Sequence, residues 1–182
     1  MPDSRSKGPP DLERYRQMRD PARTPEPFGD EADPRPRGTA ESGLFVVQQH
    51  AARALHWDLR LEIEGVLASW AVPRGPSLDP REKRLAVHTE DHPLEYADFE
   101  GVIPDGNYGA GAMIVWDRGR YRTVDGSPAA PGVEAGKLDL ILEGYKLRGQ
   151  FALVRTKRGS GRDWLLIHKA PAAGVDLVAE QP

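Results

Sequence analysis

Residues 56–63 constrain the fold more than any other part of the chain. They alternate strictly. His56, Asp58, Arg60 and Glu62 fall on one side of an extended strand, and Trp57, Leu59, Leu61 and Ile63 fall on the other. The apolar set is a core face. The polar set is expected at the surface, where it presents imidazole, carboxylate, guanidinium and carboxylate at spacings of roughly 6.6 Å. His50 lies just upstream, close enough in sequence to fold back onto the same edge. A His/His/Asp group can hold a divalent metal, and an Arg one strand step further can hold an anion bound to that metal.

Other segments carry strand patterns too. Residues 44–48, 66–72, 84–89, 112–116, 121–124, 138–142, 150–156 and 164–169 read as strands. Glu64-Gly65 makes a hairpin of the second and third strands. Asp117-Arg118-Gly119 reads as a turn. Pro93 is expected to stop its strand and free His92 from ladder pairing. Residues 73–80, 103–111 and 125–136 read as loops, the first two as rims of a cleft; neither has the glycine spacing of a phosphate loop. Strands at short intervals with little helix suggest a sandwich or barrel.

A length of 182 residues suits one domain. The expected division is an arm at 1–40, a folded domain at 41–170 and a tail at 171–182 without a packing pattern. The arm holds eight of the 17 prolines. A short helix at 11–18, with Asp11 as its N-cap, is followed by a segment that reads as extended or disordered. Arg19, Asp20 and Glu26 cluster there beside Phe28, a grouping that would let the arm dock on the core.

The chain has no cysteine, which excludes disulfides and thiolate metal sites. No apolar run approaches the ~20 residues of a membrane span, and no signal peptide is visible. A cytoplasmic monomer without membrane contact is expected. Net charge is −3 but uneven: residues 145–169 hold seven basic groups against one acid, Asp163. A stretch of this kind marks either a polyanion-binding face or two well-solvated strands.

The candidate site residues each have two readings. His50, His56 and Asp58 suit Mn, Fe, Zn or Ni; otherwise they are ordinary histidines beside an Asp58–Arg60 ion pair. Arg60 matches an oxyanion, or pairs with Glu62 or Glu90. His92 and Tyr96, four residues apart, can both donate to a phosphoryl oxygen, and His92 can protonate a leaving alkoxide; otherwise they are a turn histidine and a core-edge tyrosine. His88 reads as a supporting residue and His168 as a packed histidine rather than a ligand. A nucleophilic serine or cysteine triad has no support.

The motifs HxxxxxHxDxRLE from His50, EDHPxxY from Glu90 and GxIPxGxYGAG from Gly101, with RDxxxTPEP from Arg19 in the arm, resemble the 3′-phosphoesterase domain of bacterial DNA ligase D. The similarity covers nearly all of residues 41–169. It implies a mainly β fold: a small closed or nearly closed β-barrel with one or two short helices and an extended N-terminal arm. It also implies a Mn²⁺-dependent hydrolase of DNA primer–template 3′ ends. Such an enzyme removes a terminal ribonucleoside to leave a 3′-phosphate, then hydrolyses that phosphate to a 3′-hydroxyl, in repair by end joining.

By the same resemblance His50, His56 and Asp58 are metal ligands, and Arg60, His92 and Tyr96 contact the scissile phosphate. Gln48 and Glu90 support them, and Arg19, Asp20 and Glu26 are the arm's contribution. The chain carries neither a ligase nor a polymerase domain, so it is expected to be either a free-standing member or an excised domain, and a DNA ligase or polymerase is the partner the resemblance implies. Two other readings stand beside this one. A non-haem Fe(II) oxygenase would use His-x-Asp and a distant His as its facial triad. A DNA-binding module without catalysis would keep only the basic surface.

Overall fold

The alternation that marks the strands is realised as a closed barrel with a second layer packed on part of its outside. The computed structural model describes residues 12–30 and 33–170. The strands are β1 (Ser42–Ala51), β2 (Leu55–Ile63), β3 (Val66–Val72), β4 (Arg84–Pro93), β5 (Gly101–Ile103), β6 (Gly111–Thr123), β7 (Lys137–Gly144), β8 (Arg148–Arg155) and β9 (Asp163–His168). They pair antiparallel in the order β1-β2-β3-β4-β9-β8-β7-β6, and β1 pairs with β6 to close eight strands into a ring. Strand β5 adds to the N-terminal end of β6. Two short helices, α1 (Glu13–Gln17) and α2 (Ala129–Ala135), and a 3-10 turn at Leu94–Asp98 complete the fold.

The period of two sorts the side chains. Phe45 and Val47 of β1, Leu59 and Leu61 of β2, and Trp70 and Val72 of β3 fill the interior with Phe151 and Trp164. Their neighbours Val46 and Leu67 point outward into a second apolar layer with Tyr15, Leu94, Tyr96 and Met113. Each large apolar side chain so buried contributes about 1.5–3 kcal/mol.

The outer face of β1–β3 is therefore an interface, not the surface expected from the alternation. Asp58, Arg60 and Glu62 are all buried. Glu62 does not pair with Arg60; its carboxylate accepts the backbone N–H groups of Gly38 and Leu44.

The arm docks rather than trailing. Tyr15 is buried, its hydroxyl donating to the Pro27 carbonyl. The Arg16 guanidinium donates to the carbonyls of Phe28 and Gly29. The expected cap Asp11 lies outside the described residues, as does the tail from 171; Leu12 precedes the first helical residue without a side-chain cap.

Other expectations are corrected. Residues 117–119 are not a turn but the middle of β6. Asp117 is buried there because its carboxylate accepts the backbone N–H groups of Tyr145, Lys146 and Leu147. Gly119 sits where a Cβ would come within 2.1 Å of the Glu143 carbonyl oxygen. Residues 129–135 are helical, not loop: Pro131 falls in the first turn, where its missing N–H costs nothing, and Gly136 closes the helix at φ 84°. Pro93 does not release His92, which pairs with Leu67 while Pro93 pairs with Val66. Strand β9 reaches only from Arg84 to Val87, so at Pro93 one edge of β4 lacks a partner strand and tolerates the missing donor. No helix among the described residues is long and apolar enough to cross a membrane.

Candidate active site

Local strand geometry builds the site. In the β1–β2 register, His50 faces His56 and Gln48 faces Asp58. Their side chains leave the sheet on the outer face, as the inward-pointing Val47 and Leu59 require. His50 Nδ1, His56 Nε2 and Asp58 Oδ2 approach one another at 3.2–3.6 Å. Among the described residues this is the set of three donors able to hold a metal ion.

The far side of each ring fixes its tautomer. His50 Nε2 lies 2.7 Å from the Gly109 carbonyl and His56 Nδ1 3.2 Å from that of Ala54. A carbonyl only accepts, so each of those nitrogens carries the hydrogen. In the neutral rings, two bare nitrogens and a carboxylate oxygen then face one point. Three lone pairs converge, an arrangement relieved by a cation or a shared proton. Carbonyl-oriented imidazoles of this kind suit metal ligation. Burial pushes the Asp58 carboxyl up, but the charge of Arg60, joined by a hydrogen bond from either histidine whenever its facing nitrogen is protonated, outweighs it and holds the carboxyl well below the usual carboxylate range. Burial lowers the His56 imidazole, yet the hydrogen bond and charge of Asp58 leave it raised.

Arg60 is held on three sides. Its Nε donates to Gln48 Oε1 at 2.7 Å, Nη1 donates to Ser69 Oγ at 2.9 Å, and Nη2 lies 3.5 Å from Asp58 Oδ2. The guanidinium stands over the Tyr96 ring, 4.8 Å from its centroid. Gln48 cannot turn away, because its amide nitrogen donates to the carbonyls of Tyr96 and Phe99.

The arm completes one wall. Arg19 Nε pairs with Glu26 at 3.0 Å, with both side chains almost fully buried, and Nη1 stands 3.6 Å from Glu90. Burial would lower the Arg19 pKa, but Glu26 outweighs it and the value is raised. The Tyr96 hydroxyl donates to Glu26 at 2.6 Å. Replacing Glu26 with Gln strands the buried Arg19 charge, and breaking such a pair costs about 3–5 kcal/mol. The lower end is expected, since Glu90 remains close. A urea-unfolding midpoint that does not move in Glu26→Gln would mean the arm is not seated here.

His92 Nδ1 lies 2.9 Å from the Glu90 carbonyl and so carries the hydrogen, leaving Nε2 bare, 3.5 Å from Arg19 Nη2. Burial, reinforced by Arg60 and Arg19, holds its pKa well below the ordinary imidazole range. The unfolded chain then binds this proton more readily than the folded one. Stability is fully present above about pH 6.5 and is lost as pH falls from there toward the folded value, by up to ~1.4 kcal/mol per pH unit. His88, lowered by burial and Arg155, acts in the same direction; His56, raised, acts against it. Melting temperature should therefore fall between pH 7 and 5, and fall less steeply in His92→Gln. Equal slopes would remove His92 from the account.

Of the residues expected at the site, Arg19, Glu26, His50, His56, Asp58, Arg60, Glu90, His92 and Tyr96 line one cavity of about 240 Å³. Gln48 lies behind it. Asp20 is not brought in: it is exposed in the arm's turn, its carboxylate accepting the Ala22 N–H. His88 stacks on Trp70 inside the barrel wall, 4.8 Å between centroids, and supports no site residue. His168 is a packed histidine, against Phe151 and the Leu78 carbonyl.

Ser69 and the backbone carbonyls of Ala54 and Gly109 do not figure among the residues expected at the site. Ser69 was within reach of the sequence: a two-residue hairpin at Glu64-Gly65 places Ser69 opposite Arg60. The two carbonyls left no signal, since any residue supplies that group.

The basic hairpin has a defined position. Asp58 pairs with Ala71, Ala71 with Val87 and Val87 with Asp163. The turn carrying Lys157, Arg158 and Arg162 thus lies level with Asp58, three strand spacings away, or about 14 Å along the curved sheet.

The family described as the DNA ligase D 3′-phosphoesterase domain matches residues 48–155. The chain is 51% identical over 158 residues to the multifunctional non-homologous end joining protein LigD of Pseudomonas aeruginosa, covering 86% of this chain and 18% of that protein. It is 48% identical to the protein of that name in Mycolicibacterium smegmatis, covering 85% and 20%. It is 47% identical to the LigD end-joining repair protein of Mycobacterium tuberculosis, covering 85% and 19%. The chain spans about a fifth of the length of these relatives. With nearly the whole folded region aligned at this identity, the chain belongs to the DNA ligase D 3′-phosphoesterase domain family.

Proposed function

We propose that this protein is a Mn²⁺-dependent phosphoesterase that trims DNA 3′ ends in end-joining repair, removing 3′-terminal ribonucleosides and 3′-phosphates to give a 3′-hydroxyl. The observation that carries this reading is the convergence of two bare imidazole nitrogens and a carboxylate oxygen beside a fixed guanidinium, in one cavity. His50, His56 and Asp58 would hold the metal. A bound divalent ion supplies Lewis acidity toward a phosphoryl oxygen and acidifies water at the site.

The remaining roles belong to the chain itself. Arg60, prevented from rotating, offers its charge to the phosphate oxygens as negative charge builds. Arg19 faces the same cavity from the arm. His92 enters neutral, accepting from Arg19. A phosphate lodged between Arg19 and Arg60 would offset the two charges that add to burial in disfavouring the imidazolium, which eases protonation of His92 when substrate is bound so that it can give the proton to the leaving oxygen. Tyr96 is a positioning residue here, since its hydroxyl is engaged by Glu26 and its ring supports Arg60. Lys157, Arg158 and Arg162 would meet the nucleic-acid backbone without reading bases. A ligase or polymerase that uses the finished 3′-hydroxyl is the expected partner.

The test is phosphate release from a 3′-phosphate primer–template with Mn²⁺. Release that disappears in His50→Ala, falls with added salt and tolerates changes of base sequence supports the reading. Binding without release would favour the non-catalytic module, and oxygen consumption dependent on Fe(II) and a keto acid would favour the oxygenase.

A further inference from the structure

We propose that Tyr108 is the platform on which the terminal nucleoside of a DNA 3′ end stacks, and that the cavity beside it receives that nucleoside as it leaves. This rests on the phosphoesterase reading and adds a leaving-group subsite to it.

Tyr108 sits in the loop 104–110 between β5 and β6, and the loop is fixed on both sides of it. Asn107 Nδ2 donates to the carbonyls of Arg23 and Pro104. The Gly109 carbonyl accepts from His50. At Gly111 a Cβ would stand 2.0 Å from the Ala51 carbonyl oxygen, so the loop is pressed onto β1. On this rigid support Tyr108 is 48% exposed. A large ring held open to water beside an active site is well placed for a flat ligand. The Arg19 guanidinium, 5.4 Å from the ring centroid, steadies it from the site side.

Tyr108 borders two spaces. One is the cavity holding the metal-binding group. The other is a cavity of about 960 Å³. The two share Ala52, His56, Tyr108 and Gly109 in their walls. The second is at the upper end of the size expected for a ligand pocket. Its charged lining is one Arg53 and one Asp105, and the rest is mostly small side chains and backbone. A run of DNA backbone needs several cations, and this cavity offers none in excess. A nucleoside carries no charge and fits it. Asn107 has its amide nitrogen engaged by the carbonyls of Arg23 and Pro104, and stacking on Tyr108 is a contact indifferent to base identity.

The chemistry places the same group there. Water attacks phosphorus, and the bond from phosphorus to the 5′-oxygen of the terminal nucleoside breaks. That oxygen leaves with a proton, and the phosphate stays on the primer's 3′-oxygen. The departing group is a neutral nucleoside. A 3′-phosphate end carries no such group and does not use Tyr108.

Two primer–templates decide the matter, identical except for a 3′-terminal ribonucleoside or a 3′-phosphate. Binding is measured by fluorescence anisotropy without metal, so that nothing is cleaved, for the wild type, Tyr108→Ala and Tyr108→Phe. The nucleoside-ended primer should bind Tyr108→Ala roughly 5- to 150-fold more weakly, the range that loss of one base–aromatic stack gives. Tyr108→Phe should bind it as the wild type does. The phosphate-ended primer should bind all three alike. With Mn²⁺ added, KM should rise in Tyr108→Ala for the nucleoside-ended primer alone. Mn²⁺ affinity and melting temperature should not change.

Equal losses for both primers, or none for either, overturn the proposal. If the wild type cleaves neither primer, the phosphoesterase reading fails, while the binding comparison still decides whether Tyr108 holds a terminal nucleoside.

Discussion

Asp58→Asn should abolish metal binding and 3′-phosphate release together while leaving a weakened fold. The substitution keeps the shape and removes the one charge in the candidate metal group. Loss of an outer partner to a metal ligand costs 10- to 100-fold in affinity, so loss of the anionic ligand itself should cost at least about 100-fold. The same change strands Arg60, whose Nη2 stands 3.5 Å from Asp58, in a buried site. Breaking a buried pair of this kind costs about 3–5 kcal/mol. Calorimetric titration with Mn²⁺, urea unfolding and phosphate release measured on one preparation separate the two effects. Wild-type Mn²⁺ affinity in the variant would refute the ligand assignment outright.

Arg60 carries the second large expectation. Arg60→Ala should lower kcat by about 10²- to 10³-fold, the cost of removing one fixed donor aimed at developing charge. Arg60→Lys should recover little of it. The guanidinium bonds in three directions at once, to Gln48, Ser69 and Asp58, and an ammonium offers a point charge without that fork. Single-turnover rates on the 3′-phosphate primer–template are the measurement. A lysine variant within a few-fold of the wild type would show that charge alone suffices, and that the contacts fixing the guanidinium do not matter to the chemistry.

The reverse argument applies to Ser69 and Gln48. Neither carries charge, and neither can replace what Arg60 does, but both fix where its charge points. Their loss should weaken activity less than loss of Arg60, because the charge would remain and only its aim would relax.

The sequence by itself determined what depends on neighbours along the chain. The period of two in residues 56–63 set which side chains face the barrel interior. The two-residue turn at Glu64-Gly65 set which residues lie opposite one another in the β2–β3 hairpin. The residue types at His50, His56 and Asp58 set a donor set without sulfur. Where the reading failed locally, at residues 117–119 and 129–135, the turn-forming composition was real, but packing used it otherwise: the distant backbone amides of 145–147 satisfy Asp117, and the next strand, β7, packs Leu138 so closely on α2 that a Cβ at Gly132 would stand 2.7 Å from it.

Only the tertiary structure decided what arises between segments far apart in sequence. It buried Arg60 by laying the arm and the 3-10 turn over a face that alternation alone assigns to solvent. It buried His92 beside Arg19 and within the field of Arg60, and burial first, the two charges second, keep the imidazole neutral at rest. It brought the Gly109 carbonyl to His50, which fixes the tautomer that leaves Nδ1 bare toward His56 and Asp58. Burial, field and hydrogen-bond direction are sums over everything packed nearby, and a local pattern in the chain contains none of those terms.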